Sequence, residues 1–162
     1  MDQLFTSPGE KWRPVSPALA KLRRALLLGW LALGTVVAIV VGWASGWWWI
    51  TGVGLLLVVV ALVWGLWLIP RNWKAWGYAE RDDDLLVKHG VLYRKLSVVP
   101  YGRMQFVDVH SGPFERRVGI ATVQLHTASP ATDAQIPGLP PDEAARLRDR
   151  LAALGEARAA GL

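Results

Sequence analysis

A long uncharged stretch decides the fold of this chain. Residues 25–70 read ALLLGWLALGTVVAIVVGWASGWWWITGVGLLLVVVALVWGLWLIP and contain no Asp, Glu, Lys, Arg or His. One membrane-spanning helix needs roughly 20 apolar residues to cross about 30 Å of hydrocarbon, so this stretch is too long for one span and fits two. The only turn-like sequence is Ala-Ser-Gly at 44–46. The sequence therefore predicts helices over 17–44 and 47–70.

The ends of the two helices also carry signals. Ser16 and Pro17 suit the N-cap and first helical position of the first helix. Pro70 is expected to end or kink the second helix. A cleaved signal peptide fits poorly because the apolar stretch is long and doubled, and a buried soluble hairpin fits poorly because the helices are apolar on all sides.

Basic residues on both flanks predict the orientation of the hairpin. The connecting turn is uncharged, and the positive-inside rule therefore places both termini in the cytoplasm, in a multi-pass inner-membrane protein. The flanking basic residues are Lys11, Arg13, Lys21, Arg23 and Arg24 before the first helix and Arg71, Lys74 and Arg81 after the second.

Composition narrows the class of protein. The chain has 162 residues, of which 52% are hydrophobic, and all ten tryptophans lie between Trp12 and Trp76. Indole rings favour membrane interfaces, which fits their position near the predicted helix ends. The net charge is +5, but residues 71–162 carry 13 basic and 11 acidic side chains. We therefore expect no nucleic-acid partner. The absence of cysteine excludes disulfides and thiolate metal sites.

Three segments follow from these patterns. Residues 1–24 are expected to form a cytoplasmic N-terminal tail and the start of helix one, residues 25–70 the transmembrane hairpin, and residues 71–162 a cytoplasmic domain. Short strands are expected in this domain, followed by an amphipathic helix from about residue 140. The predicted strands lie at 73–80, 85–92, 93–99, 105–111, 122–127 and 133–136, with Asp82, Asp83 and Asp84 as a turn.

Period-two alternation places particular side chains on particular faces. Val123 and Leu125 are expected to point into the core, with Gln124 and His126 pointing outward. The C-terminal helix repeats leucine at helical spacing, which gives it one apolar face. The fold class is therefore a membrane helical hairpin plus a small α+β domain, in which a curved antiparallel sheet is capped by a C-terminal helix.

Two motifs in this domain resemble a known family. They are the strand Pro100-Tyr-Gly-Arg103-Met-Gln105-Phe-Val107-Asp-Val109 and the connector and strand Gly112-Pro-Phe-Glu-Arg116-Arg117-Val-Gly119-Ile-Ala-Thr-Val-Gln-Leu-His-Thr127-Ala128. Together with two preceding spans, they are similar to the bacterial pleckstrin-homology-like (PH-like) domain family of YdbS-type membrane proteins. Ser129 stands where the family usually has glycine. The resemblance implies a PH-like sheet capped by a helix and implies no enzyme activity.

Candidate catalytic and metal-binding groups are sparse. Asp108, His110 and His126 with Ser111 are the residues from which a hydrolytic or metal site would be built, but no nucleophile motif or ligand spacing accompanies them. Exposed polar positions on alternating strands account for them better. The acidic turn at 82–84 lacks the glycine and glutamate of a calcium loop. We expect no enzyme activity, cofactor or metal.

Basic residues are the candidate contacts for lipid head groups or for an acidic partner. These residues are Arg71, Lys74, Arg103, Arg116 and Arg117. The alternative is that Arg103 pairs with Asp108 and Arg116 with Glu115. The sequence favours a membrane-anchored interaction module that holds a protein partner or assembles with copies of itself. The second hypothesis is a sensor of anionic lipid or envelope stress that uses a basic face.

Overall fold

A computed structural model of the chain describes residues 11–128 and 132–159. The chain divides into two compact units, one formed by Met1–Leu19 with Asn72–Leu162 and the other by Ala20–Arg71. The second unit is helical. The first unit contains the strands and the C-terminal helix. The Ser129 departure lies outside the described residues.

Two long helices, α1 (Ala18–Ser45) and α2 (Trp48–Ala75), form the apolar part of the chain. Each has 28 residues and is long and apolar enough to cross a membrane. Their large side chains are exposed, with Trp30 at 71% and Trp43 at 79%. The hydroxyl of Thr35 donates to the carbonyl of Leu31 at 2.8 Å, so this polar group has a partner inside an apolar stretch.

Small residues let α1 and α2 approach each other closely. A Cβ atom added to Gly54 would lie 2.6 Å from the Cβ of Ala38, and one added to Gly65 would lie 2.3 Å from a methyl group of Leu27. Gly29 and Gly52 have nothing within 4 Å of such an atom. The glycines therefore fall into a packed set and an open set.

The helix predicted over 47–70 continues to Ala75, so Pro70 does not end α2. Proline removes one N–H donor, but the following turn is held from outside the helix. The indole N–H of Trp73 donates to the carbonyl of Val15 at 3.0 Å. Residues 73–75 are consequently helical, and the strand expected over 73–80 is limited to Gly77–Glu80.

The first sheet has four antiparallel strands in the order β1-β2-β3-β4. They are β1 (Arg13–Pro14), β2 (Gly77–Glu80), β3 (Asp84–His89) and β4 (Lys95–Pro100). The short strand β1 was not predicted. Pro14 pairs with Gly77, so α1 and α2 are an insertion between two adjacent strands. Val15 and Leu19 are buried, which makes the end of the expected N-terminal tail part of the domain core.

The second sheet has three antiparallel strands, β5 (Met104–His110), β6 (Ala121–Thr127) and β7 (Ala134–Leu139). A short helix, α3 (Pro113–Arg117), connects β5 to β6. The sequence pattern predicts no helix between the strands at 105–111 and 122–127. The inward positions of Val123 and Leu125 are confirmed, since both are fully buried.

Helix α4 (Pro141–Ala159) completes the domain and packs on β5, β6 and the 3₁₀ turn Tyr101–Arg103 that precedes β5. Leu147 and Leu151 on its apolar face are fully buried. Two apolar helices, antiparallel sheets and a C-terminal helix confirm the predicted fold class, although the strands divide into two sheets.

Candidate functional site

The five basic residues expected to contact lipid or a partner lie in separate places. They are Arg71 and Lys74 in α2, Arg103 in the 3₁₀ turn before β5, and Arg116 and Arg117 in α3 after β5. The guanidinium of Arg71 lies 3.8 Å from the ring centre of Trp67. Roughly 20 Å of strand separates Arg103 from α3. Within the PH-like domain, Arg103 is therefore far from Arg116 and Arg117.

The carboxylate of Glu115 caps α3 and does not pair with Arg116, which was the alternative considered for these two residues. Glu115 accepts a hydrogen bond from the backbone N–H of Gly112 at 2.9 Å and one from the hydroxyl of Thr122 at 3.2 Å. Arg103, Arg116 and Arg117 are exposed, and within the described ranges their side chains form no ion pair. These charges are available to a ligand or partner.

The structure brings together two of the three residues proposed for a hydrolytic or metal site, since Nε2 of His126 lies 3.9 Å from a carboxylate oxygen of Asp108, but His110 does not join them in a metal-binding group. His126 stacks on Phe106 with 4.4 Å between ring centres, and its Nδ1 lies 3.4 Å from a carboxylate oxygen of Asp133. His110 pairs with Thr122, which lies four residues before His126 in β6. Among the described residues, no group of three or more His, Asp or Glu is placed to hold a metal ion.

A cluster of ionic side chains fastens α4 to the first sheet. We call it the α4 ion cluster, and it consists of Arg13, Tyr78, Glu80, Glu143, Arg146 and Arg150. Arg146 donates to Glu80 at 2.6 Å and to Glu143 at 2.7 Å. Tyr78 donates its hydroxyl to Glu143 at 2.6 Å. The side chain of Glu80 is only 8% exposed, so the arginine offsets the cost of burying its charge.

The cluster shifts the pKa values of its members. Hydrogen bonds from Arg146 are the main cause that lowers the pKa of Glu143 to about 2. Burial, followed by the hydrogen bond to Glu143, raises the pKa of Tyr78 to about 12. Both shifts favour the ionisation states present at neutral pH, so the cluster is a structural clamp.

Beside its buried contact with β5 and β6, α4 borders an open surface. A cavity of about 420 Å³ lies between β5 and α4, lined by Met104, Gln105, Phe106 and Val107 on the strand and by residues including Arg148, Ala152 and Gly155 on the helix. A second cavity of about 330 Å³ continues past Arg148 to His110 and Arg116. We call these two cavities together the β5–α4 groove.

Strand β5 is exposed along most of its length. It is an edge of the three-stranded sheet, with β6 on one side. Phe106 is 52% exposed and Val109 is 36% exposed. Gln105 lies in a bulge, since the pairing register shifts between Met104 and Phe106. An edge strand presents unpaired backbone N–H and C=O groups on which another strand can form.

The turn between β3 and β4 exposes a second apolar surface. Leu92 is 70% exposed and Tyr93 is 91% exposed. The sequence placed these residues at the ends of two strands, whereas β3 ends at His89 and β4 begins at Lys95. Gly90 has a φ of 99°, a conformation that favours glycine and turns the chain.

A polar cavity of about 310 Å³ lies between the two sheets. Its lining includes His89, Lys95 and Ser97 from the first sheet and Gln124 and Asp133 from the second. Burial, together with the charge of Lys95, lowers the pKa of His89. The carboxylate of Asp133 accepts a hydrogen bond from the backbone N–H of Thr127 at 2.8 Å. This carboxylate is thus already used by the fold.

The arrangement defines a class of protein, a PH-like domain carried on membrane-spanning helices. The chain matches the bacterial PH domain family over residues 19–155, and it belongs to that family. Membership confirms the resemblance found in the sequence. The family consists of PH-like membrane proteins and is not a known enzyme family.

One relative has a curated description. The chain is 33% identical over 107 residues to the UPF0699 transmembrane protein YdbS of Bacillus subtilis (strain 168). This alignment covers 65% of the present chain and 66% of YdbS, slightly less than two thirds of the relative's length. No solved structure matches the chain. The transmembrane relative and the two apolar helices establish a membrane protein.

Proposed function

We propose that this protein is a non-enzymatic, membrane-anchored interaction module. Its PH-like domain holds a protein partner, or a second copy of the chain, at the cytoplasmic face of the inner membrane. The observation that carries the proposal is the β5–α4 groove beside an exposed edge strand. An extended segment of the partner adds to β5 by strand pairing and places its side chains in the groove.

The chemistry of the groove supports a particular kind of segment. Phe106 and Leu151 give the first cavity an apolar lining, whereas Arg116 and Arg148 line the second. A segment with an apolar residue at one end and an acidic residue at the other complements this surface. Arg148 is already paired with Asp149 at 2.7 Å, so Arg116 is the stronger contributor of charge.

The cytoplasmic orientation rests on the distribution of charge. Basic residues lie at the start of α1, next to β1, and at the end of α2, next to β2. The turn at 46–47, which joins the other ends of the two helices, is uncharged. Because Pro14 pairs with Gly77, both ends of the helical insertion belong to one sheet. The positive-inside rule therefore favours a domain and termini on the cytoplasmic side.

The anionic-lipid hypothesis draws less support from the residues originally assigned to it. Arg103 lies before β5, whereas Arg116 and Arg117 lie after it. Charges separated in this way do not form a head-group pocket. Arg71 and Lys74, which follow the uncharged part of α2, support nonspecific attraction to an anionic leaflet.

Site-specific cross-linking in native membranes tests the proposal. A photoreactive amino acid replaces Gln105, which lines the groove and lies in the β5 bulge. The matched control replaces Val98, which is 46% exposed on β4 and lies outside the groove. We expect a discrete adduct with a protein partner, or with a second copy, at position 105.

The comparison between the two positions decides the outcome. A discrete adduct that forms severalfold more strongly at 105 than at 98 supports the proposal. Equal yields at both positions, or only the uncross-linked chain at 105, contradict it. Detecting the chain by an affinity tag and analysing the adduct by mass spectrometry separate a partner from a second copy.

A further inference from the structure

Among the described residues of the PH-like domain, the large apolar side chains with the greatest exposure lie in the β3–β4 turn, residues 90–94. Leu92 is 70% exposed and Tyr93 is 91% exposed, and the two are adjacent at the tip of a hairpin. Hydrophobic side chains buried elsewhere in the same hairpin are nearly inaccessible, with Leu86 at 1% and Val99 at 0%. The tip therefore presents two large apolar side chains outward, whereas in the body of the hairpin Leu86 and Val99 are buried and Val98 is 46% exposed.

The shape of the tip is fixed by its backbone. Gly90 adopts a φ of 99°, and a Cβ atom added there would lie 1.9 Å from the carbonyl oxygen of Tyr93. The chain thus folds tightly back on itself at this glycine. Leu92 and Tyr93 thus lie in a short turn between β3 and β4 and not on a long loop.

The base of the tip lies beside the point where the chain leaves α2. His89, the last residue of β3, stacks on Trp76 with 4.7 Å between ring centres, and Trp76 directly follows the last residue of α2. Lys88 pairs with Gly77 and lies 4.0 Å from the ring centre of Trp12. Of the two tryptophans at the base, Trp76 is buried at 8% exposure and Trp12 is partly exposed, so Trp12 is the one that can lie in the membrane interface.

The length of α2 places this point near the lipid head groups. The uncharged part of the helix ends at Pro70, and five residues of helix remain before Trp76. Five residues of α-helix rise roughly 8 Å. The interfacial region on each side of the hydrocarbon is of similar thickness, about 5–8 Å. Trp76 and the base of the β3–β4 turn are therefore within reach of the membrane surface.

Charge is distributed unevenly along the same hairpin. Arg94 and Lys95 lie at the tip, and Lys88 lies at its base. The acidic residues Asp82 and Asp83 lie at the opposite end of β3, before Asp84 pairs with Pro100. Asp83 is paired with Arg158 and Asp84 with Arg81, so a negatively charged surface would attract the tip more strongly than the other end. The positive charge at the tip of the hairpin therefore complements an anionic leaflet.

We propose that the β3–β4 turn is a second membrane contact, in which Leu92 and Tyr93 enter the interface of the bilayer and Arg94 and Lys95 lie against anionic head groups. The contact is separate from the β5–α4 groove and does not depend on a protein partner. It restrains the PH-like domain at the bilayer surface, so that α2 is not its only tether. The occupant is the lipid surface itself, without a specific head group.

Fluorescence depth measurements on the full-length protein in vesicles test this contact. The chain has no cysteine of its own, so a single cysteine can be labelled with an environment-sensitive fluorophore without background. The labelled variants are Tyr93→Cys at the tip, Asp82→Cys at the opposite end of β3 and Val98→Cys on β4. Vesicles contain phosphatidylcholine with or without phosphatidylglycerol, and quenchers are carried either on lipid chains or in the aqueous phase.

We expect the label at position 93 to be quenched severalfold more by the lipid-borne quencher than the labels at 82 and 98, and to be protected from the aqueous quencher. Phosphatidylglycerol should increase this difference, and the substitutions Leu92→Ser and Lys95→Gln should reduce it. Equal aqueous quenching at 93 and 82 would overturn the proposal. The proposal would also be overturned if the label at 93 were shielded in native membranes but exposed in vesicles that contain no other protein. A protein, and not lipid, would then cover the turn.

Discussion

The two sides of α4 differ in how they meet the rest of the domain. Toward the first sheet, Arg146 joins the carboxylates of Glu80 and Glu143, and Tyr78 adds a hydrogen bond. Toward the second sheet, Leu147 and Leu151 of the same helix are buried, and beside them lies the β5–α4 groove, with cavities of about 420 and 330 Å³. One helix therefore has one side fixed by ionic contacts and one side that borders a groove open to other molecules.

This contrast separates stability from interaction within a single element. The fixed side contains a carboxylate that is 8% exposed, for which loss of the partner charge is costly. The open side has exposed positions such as Ala152, where substitution alters no buried contact. Changes on the fixed side should therefore reduce stability, and changes on the open side should affect binding alone.

The largest effect is expected from Arg146→Met on the fixed side. The substitution keeps an apolar side chain of similar length but leaves Glu80 and Glu143 without their shared donor. Since Arg146 is itself 36% exposed, we expect a loss of about 2 kcal/mol of stability, below the range for a fully buried pair. Thermal unfolding in nanodiscs measures it.

Arg148→Met is the matched control for that experiment. Arg148 lies two residues away on α4, and its ion pair with Asp149 is largely exposed. Exposed pairs contribute at most about 1 kcal/mol. Equal losses of stability in the two variants would remove the distinction between the fixed and open sides.

The pH dependence of stability sharpens the same comparison with a smaller effect. The pKa of Glu143 is lowered to about 2 from 4.5, so its contribution is complete above pH 4.5 and is lost as the pH falls from 4.5 toward 2. The pKa of Tyr78 is raised to about 12 from 10, so its contribution is complete below pH 10 and is lost as the pH rises toward 12. We expect each loss to be about 1 kcal/mol, after allowance for solvent screening.

The variant Glu143→Gln provides the test of that assignment. It should be less stable than the parent at neutral pH, and its melting temperature should fall less between about pH 4.5 and about pH 2. Melting curves recorded across both pH ranges give the comparison. An unchanged acid slope in Glu143→Gln would show that another carboxyl group is responsible.

The smallest effect on stability is expected from Ala152→Trp on the open side. The indole ring would occupy the β5–α4 groove, which has room for it, so stability should change by no more than about 0.5 kcal/mol. The adduct formed from position 105 should nevertheless be lost. Ala153→Trp is the control, because residue 153 is exposed on the same helix and does not line the groove. Retention of the adduct in Ala152→Trp would argue against the groove as the binding surface.

Local sequence patterns predicted much of the fold. The uncharged stretch indicated two helices, and alternation correctly placed Val123 and Leu125 in the core. Strand β1 escaped prediction because a two-residue strand has no period of its own and depends on pairing with Gly77 and Tyr78. The end of α2 was also missed, since the turn after Pro70 is held by a contact between Trp73 and the distant residue Val15.

The candidate sites were less predictable than the fold. The sequence identified Arg116 as a possible contact, but the groove depends on how β5 and α4 lie beside each other, which no local pattern specifies. The spacing of Glu143 and Arg146 indicates a helical ion pair, whereas the third member, Glu80, is 66 residues away from Arg146. The sequence pattern predicts Leu92 and Tyr93 at the ends of two strands, because it includes Gly90 in the first strand and not in a turn.

The pairing of β1 with β2 links folding of the domain to correct membrane insertion. Strand β1 is synthesised before both helices, and its partner β2 only after them. The two strands can meet only if the chain crosses the bilayer an even number of times between them. A chain in which one helix failed to insert would leave Pro14 and Gly77 on opposite sides of the membrane. Its first sheet would lack an edge strand, and Val15 would lose its buried position, so misinserted chains would be exposed to proteolysis as incompletely folded proteins.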